Sequence, residues 1–150
     1  MPYTDLTITR SDIDAYEGVT FANYNETSTT LKIDVNDAQV LAAAQRELKT
    51  DLIDKCRHLY ENGTYASEEA VLDDLYANDA DKQLEQLLTF KFLELWFKQD
   101  SDSKDSLSWD NFQIYHSKYT YFKDIAVRRL MAKLSTPVSS PRIIMRSIWN

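Results

Sequence analysis

Apolar residues recur with a helical period along most of this chain. Leu41, Ala44, Leu48, Leu52, Cys56 and Leu59 follow one another at steps of three and four, which puts them on one face of a long helix. Asn36 suits the position before that helix, Gln39 can complete a capping box, and Asn62-Gly63 supplies a left-handed stop. Ser67, followed by Glu68 and Glu69, predicts a second helix that carries Val71, Leu72 and Leu75 and ends near Asn78. From about Asp79 to Gln99, apolar residues such as Leu84, Leu88, Phe90, Phe92, Leu95 and Trp96 point in every direction. A helix apolar all round must be surrounded, so this one is expected at the centre of a bundle.

Ser108 is expected to cap the last helix, which runs to about Leu134. Its main stripe is Phe112, Tyr115, Tyr119, Phe122, Ala126, Leu130 and the aliphatic stem of Lys133. Ile114, Tyr121 and Ile125 fall on nearly the opposite side at 3.6 residues per turn. That second apolar face packs either under another part of the chain or against a neighbour, and the sequence leaves both open.

The two ends follow other rules. Leu6-Thr7-Ile8-Thr9 alternates and predicts a short strand; Ser11, with Asp14 three residues on, predicts a capped short helix reaching Glu17 and stopped by Gly18. Val19 to Asn36 is rich in Thr, Asn and Ser, with alternation at Leu31, Ile33 and Val35, and reads as an arm: a loop with a strand, or a hairpin. Pro137 and Pro141 exclude a continuing helix. The expected architecture is mainly α: a helical bundle over residues 1–135 with a short N-terminal strand and an arm at about 19–35, then an extended C-terminal tail at 136–150.

Composition agrees with long helices and few connections, since only two Gly and three Pro occur in 150 residues. The net charge is −7 at pH 7. Arg142 and Arg146 give the last sixteen residues +2, so the first 134 carry −9. Gripping nucleic acid through phosphates needs a concentrated basic surface, and this body is acidic. The opening MPYTDLTITR lacks the basic and apolar regions of a signal peptide. Leu84 to Phe97 is too short and too charged to span a bilayer. A cytosolic protein, or one assembled there, is expected, without a membrane partner.

Motifs that carry chemistry are missing. No Gly-rich phosphate loop, HExxH, GxSxG or CxxC occurs. His58 lies two residues after Cys56 on a different helix face, so the two cannot share a metal, and Cys56 reads as a small buried hydrophobe. The acid pairs Asp73-Asp74 and Glu68-Glu69 lie where solvation or a helix dipole accounts for them. The stretch Asp100 to Ser106 lacks the Gly and the terminal Glu of a calcium loop and reads as a solvated connection. No catalysis, cofactor or metal is expected.

The tail is the informative segment. Ile143, Ile144, Met145, Ile148 and Trp149, with Arg142 and Arg146 among them, form an apolar and basic cluster beyond the last helix. Such a segment either folds back on the domain or docks into a partner, where Trp and Arg are frequent anchors. Docking is the expectation, with Ile114, Tyr121 and Ile125 as a second interaction surface.

The layout also resembles a family. The Leu6-Thr7-Ile8-Thr9-Arg10-Ser11-Asp12-Ile13 opening leads through an arm to Asn36-Asp37-Ala38-Gln39 and a long helix, then to a bundle and a protruding tail. This resembles the head–tail connector, or adaptor, proteins of tailed bacteriophages. The resemblance implies a homo-oligomeric ring, commonly of twelve copies, between the portal protein and the tail or next-ring proteins. It implies a virion location at the head–tail junction after assembly in the host cytoplasm, and DNA that passes through the lumen without specific binding. By the same resemblance the arm and the tail would clasp neighbouring rings. Two other classes remain: a small cytosolic helical regulator whose tail binds one target, and an enzyme working through a desolvated carboxylate.

Overall fold

The computed structural model describes residues 2–9, 11–13, 15–16, 38–100 and 107–134. Four helices dominate them: α1 (Ala38–Glu61), α2 (Glu68–Ala77), α3 (Gln83–Asp100) and α4 (Leu107–Met131). A single 3-10 turn at Tyr3–Asp5 and a short helix through residues 11–13 and 15–16 precede them. No strand occurs among the described residues. The protein is mainly α, as the periodicity required. The arm at 19–35 and the tail at 136–150 lie outside the described residues.

The helix α3 packs against both α1 and α4, and α2 and the N-terminal turn close the other side of α1. Centrality follows from composition: Leu84, Leu87, Leu88, Leu93 and Phe97 on α3 are all fully buried. On α1 the predicted stripe is inward, with Ala44, Leu48, Leu52, Cys56 and Leu59 buried and Leu41 partly so. The α3–α4 seam is aromatic. Phe97 stacks on Tyr115 with ring centroids 5.9 Å apart, and Phe90 meets Phe122 edge-on at 6.1 Å.

Helix ends show which local signals acted. Gly63 takes the left-handed conformation (φ +80) that ends α1. Ser67 caps α2 by accepting a hydrogen bond from the Ala70 amide at 3.1 Å. The start of α3 differs from expectation, at Gln83 rather than Asp79. Lys82 adopts φ +55, which cannot continue a helix, and Asp79 instead caps α3 by accepting from the amides of Gln83 and Leu84 at 2.8 Å each. The last helix begins at Leu107, so Ser108 is a buried residue of its first turn rather than its cap, and Met131 is its last residue.

The N-terminus carries two further corrections. Leu6 to Thr9 has no strand partner among the described residues; it buries Leu6 instead, and Gln45 on α1 donates a 3.2 Å hydrogen bond to the Leu6 carbonyl. The cap of the following short helix lies two residues earlier than expected. Asp12 accepts from the backbone N–H of Thr9 at 2.7 Å and from its hydroxyl at 3.1 Å, which makes Thr9 and Asp12 the capping pair. Tyr3 is tied down by its amide, which donates to Asp73 on α2 at 2.7 Å.

Candidate functional site

Helix α4 has two flanks, and they differ in character. Lys123, His116 and Asp124 lie on one, where they reach α1 and α3: Lys55 on α1 pairs with Asp124 at 2.7 Å and Lys123 with Asp51 at 3.7 Å. The hydrogen bond from Lys55 holds the Asp124 carboxyl below its ordinary range. Leu107, Ile114, Tyr121 and Ile125 lie along its outer face, on nearly the opposite side from the core-facing line, and Tyr121 and Ile125 share a shallow cleft with His116 and Asp124. Leu107 is 65 %, Ile114 49 % and Tyr121 74 % exposed, while Ile125 is half-buried. A line of large apolar side chains in water along one helix edge is uncommon on a surface that stays bare.

The structure therefore brings together three of the residues singled out in the sequence, Ile114, Tyr121 and Ile125, and adds Leu107. Leu107 escaped notice because the helix was expected to start after it. The other seven, Arg142, Ile143, Ile144, Met145, Arg146, Ile148 and Trp149, lie outside the described residues.

A polar seam joins α1, α3 and α4, and sequence reasoning missed it. Lys91 and Glu94 interrupt the apolar run of α3, yet both are buried and 2.9 Å apart. Lys91 also lies 3.6 Å from Glu47 on α1 and sits over the Tyr119 ring, 4.1 Å from its centroid. His116 Nδ1 is 3.1 Å from the second Glu94 oxygen. Tyr119 donates to Asp51 at 2.5 Å, and burial pushes its phenol well above the ordinary range. An open cleft of about 490 Å³ runs beside these residues, also lined by Arg46, Thr50 and Lys98. Glu47, Asp51 and Glu94 each have a lysine within 4 Å, so the charges compensate one another and clip three helices together. The spacing of Lys91 and Glu94, three apart within an otherwise apolar helix, was the available signal.

A second cleft of about 310 Å³ opens on the flank of α1 that faces away from α4. Tyr3, Leu6, Ala42, Gln45, Arg46 and Lys49 are among the residues that line it. Among the described residues no carboxylate lines it.

The acid pair of α2 has structural partners. Asp74 accepts from the Tyr65 hydroxyl at 2.5 Å and from Asn78 at 2.8 Å, and Asp73 holds the Tyr3 amide. Cys56 is buried, and burial pushes its thiol up to about 11. His58 is exposed on α1. Among the described residues no group of three His, Cys, Asp or Glu side chains is placed to hold a metal ion, and no helix is long and apolar enough to cross a membrane.

Comparison of the chain with protein-family models, with curated proteins and with solved structures found no match.

Proposed function

We propose that this chain is a structural, protein-binding subunit, and that the assembly it serves is the head–tail connector ring of a tailed bacteriophage. The observation that carries the protein-binding part is the apolar edge of α4. Leu107, Ile114 and Tyr121 are spaced seven residues apart and stand in water on a well-packed helix. Covering them would recover apolar area at roughly 25 cal/mol per Å². The connector part rests on the resemblance of the opening segment, the helix start at Asn36 to Gln39 and the bundle-plus-tail layout. Net charge supports it too: an acidic body lets DNA pass through a lumen without adhering. The basic, apolar tail from Arg142 to Trp149 is the segment that docks on the portal in this reading, by strand addition or by anchoring Trp149 in a pocket.

Mass photometry of the purified chain, alone and mixed with a candidate portal, tests the proposal. A discrete ring-sized species, or a portal complex carrying many copies, is expected. Deleting residues 136–150 should abolish portal attachment while leaving the helical circular-dichroism signal intact. A monomer or dimer that ignores every portal offered would overturn the connector reading in favour of a small regulator. Normal attachment of the tail-less variant would remove the docking role from the tail.

A further inference from the structure

The turn that ends α1 holds the one Asn-Gly pair of the chain, Asn62-Gly63. Both residues are exposed, and the buried Tyr65 follows them on the way into α2. The backbone of the pair is tied to the last turn of α1. The Asn62 amide donates to the His58 carbonyl at 3.0 Å, and the Gly63 amide to the Tyr60 carbonyl at 3.1 Å. The Asn62 side chain turns forward along the chain: Oδ1 accepts from the Thr64 amide at 3.0 Å and from the Thr64 hydroxyl at 2.5 Å. Such a turn lays the carboxamide over the Asn62–Gly63 peptide. Gly63 brings no Cβ to crowd the approach, and the space beside it is open to 4 Å.

This arrangement sets a nucleophile, the Gly63 nitrogen, beside an electrophile, Asn62 Cγ. Two donors already face Oδ1, where negative charge develops as the nitrogen adds. The other asparagines among the described residues are held differently. Asn78 commits its amide nitrogen to the Asp74 carbonyl and carboxylate, at 2.8 Å each. Asn111 lies inside α4, where the helical backbone keeps the next amide away from the side-chain carbon.

We propose that Asn62-Gly63 is a self-modification site, at which the turn converts Asn62 into isoaspartate and aspartate with water as the co-reactant. Hydroxide takes the Gly63 amide proton and becomes water. The nitrogen forms a bond to Asn62 Cγ, and the carbonyl electron pair moves to Oδ1, facing the Thr64 donors. The Cγ–Nδ2 bond then breaks; Nδ2 takes a proton from water and leaves as ammonia, which restores the hydroxide. Water opens the resulting cyclic imide at either carbonyl, giving isoaspartate or aspartate. Each product places a new carboxylate beside Glu61, at the negative end of the α1 dipole, where an anion is disfavoured. Isoaspartate also adds a methylene to the main chain. The bonds from Gly63 to Tyr60 and from Tyr65 to Leu59, the latter 3.3 Å, cannot both absorb it. The reaction therefore loosens the junction of α1 and α2, and loss of ammonia makes it one-way.

Peptide mapping of the purified full chain, incubated at mildly alkaline pH and read by electron-transfer fragmentation, tests the proposal. The peptide containing Asn62 should gain the mass that separates Asp from Asn, with isoaspartate the larger fraction, and should do so faster as pH rises. Peptides containing Asn78 and Asn111 should stay intact over the same time. Gly63→Ala and Thr64→Val should each slow the reaction several-fold, the first by crowding the nitrogen and the second by removing a donor to Oδ1. Circular dichroism checks that both keep the helical signal. Aged parent should unfold at lower urea than fresh parent, and Asn62→Gln should show neither the mass gain nor that shift. An Asn62 that survives in the folded chain but reacts in the same chain unfolded in urea would overturn the proposal, because the turn would then protect it. Thr64→Val reacting as fast as the parent would overturn it too, as would equal modification at Asn78 or Asn111.

Discussion

Lys91 and Glu94 stand one turn apart on the central helix, 2.9 Å from each other, with side chains only 9 % and 6 % exposed. A buried pair of this kind is costly to desolvate and contributes little net stability, but removing one partner strands the other. Lys91→Met should therefore destabilise the fold by about 3–5 kcal/mol. The double variant Lys91→Met/Glu94→Leu should lose less than either single variant, since two well-packed apolar side chains leave no stranded charge. Urea unfolding of the four proteins checks this. Additive losses in the double variant would mean that Lys91 and Glu94 act through other partners, Glu47 and His116 being the nearest.

Gly63 offers a cleaner backbone test. Its φ of +80 is disfavoured for any side chain, yet a Cβ added there meets nothing within 4 Å. The loss in Gly63→Ala is then conformational only, about 1–2 kcal/mol. Gly63→Asn should lose less, because Asn tolerates the left-handed region better. Thermal or urea melts that rank Gly, Asn, Ala in falling stability would agree. An Ala variant as stable as the parent would mean that the turn relaxes out of this conformation.

These positions show what the sequence could and could not reveal. Leu48, Leu52 and Leu59 were legible because a helix converts spacing directly into a face, and Gly63 and Ser67 because caps and stops are local. Ile114 and Tyr121 were legible as a second face for the same reason, but periodicity does not say whether such a face is covered. Lys91 and Glu94 stand in the sequence only as charges within the apolar run from Leu84 to Phe97. Their burial depends on Glu47, Tyr119 and His116 from two other helices, and no local pattern carries that. The Thr9–Asp12 cap was misplaced by two residues because Ser11 and Asp14 offer the same chemistry at the same spacing. The apparent strand at Leu6 to Thr9 reflects burial of Leu6 against a layer that is helical throughout the described residues.

The Cys56 thiol gives a pH prediction with a definite sign. Burial raises it from its ordinary value of 9.0 to about 11 in the folded chain. Below pH 9 the thiol is neutral in both states and its contribution is fully present. Between 9 and 11 the unfolded chain ionises first and is favoured, so stability falls as pH rises toward about 11. Two pKa units correspond to at most about 2.7 kcal/mol. Unfolding free energies measured from pH 8 to 11 should fall less steeply in Cys56→Ala than in the parent, with the slope that remains due to the buried phenols of Tyr3 and Tyr119. Identical slopes would show that the thiol reaches solvent in the folded state.

The outer edge of α4 separates stability from association. Tyr115 and Tyr121 lie on one helix, six residues apart, but Tyr115 is 2 % exposed and Tyr121 74 %. Tyr115 stacks on Phe97 at the α3–α4 seam, so Tyr115→Ala should cost about 3–5 kcal/mol, the usual loss for emptying a buried aromatic site. Tyr121→Ser removes a side chain that is mostly in water and Ile114→Ser one that is half exposed, and each should change stability far less than Tyr115→Ala, by about 0.5–1 kcal/mol at most. If that edge is where copies meet, the same two substitutions should abolish self-association measured by analytical ultracentrifugation, with melting temperatures much closer to the parent's than that of Tyr115→Ala. A loss of stability in Tyr121→Ser as large as in Tyr115→Ala would show that this edge serves the fold of its own chain. Unchanged association in both variants would move the contact to another face of the bundle.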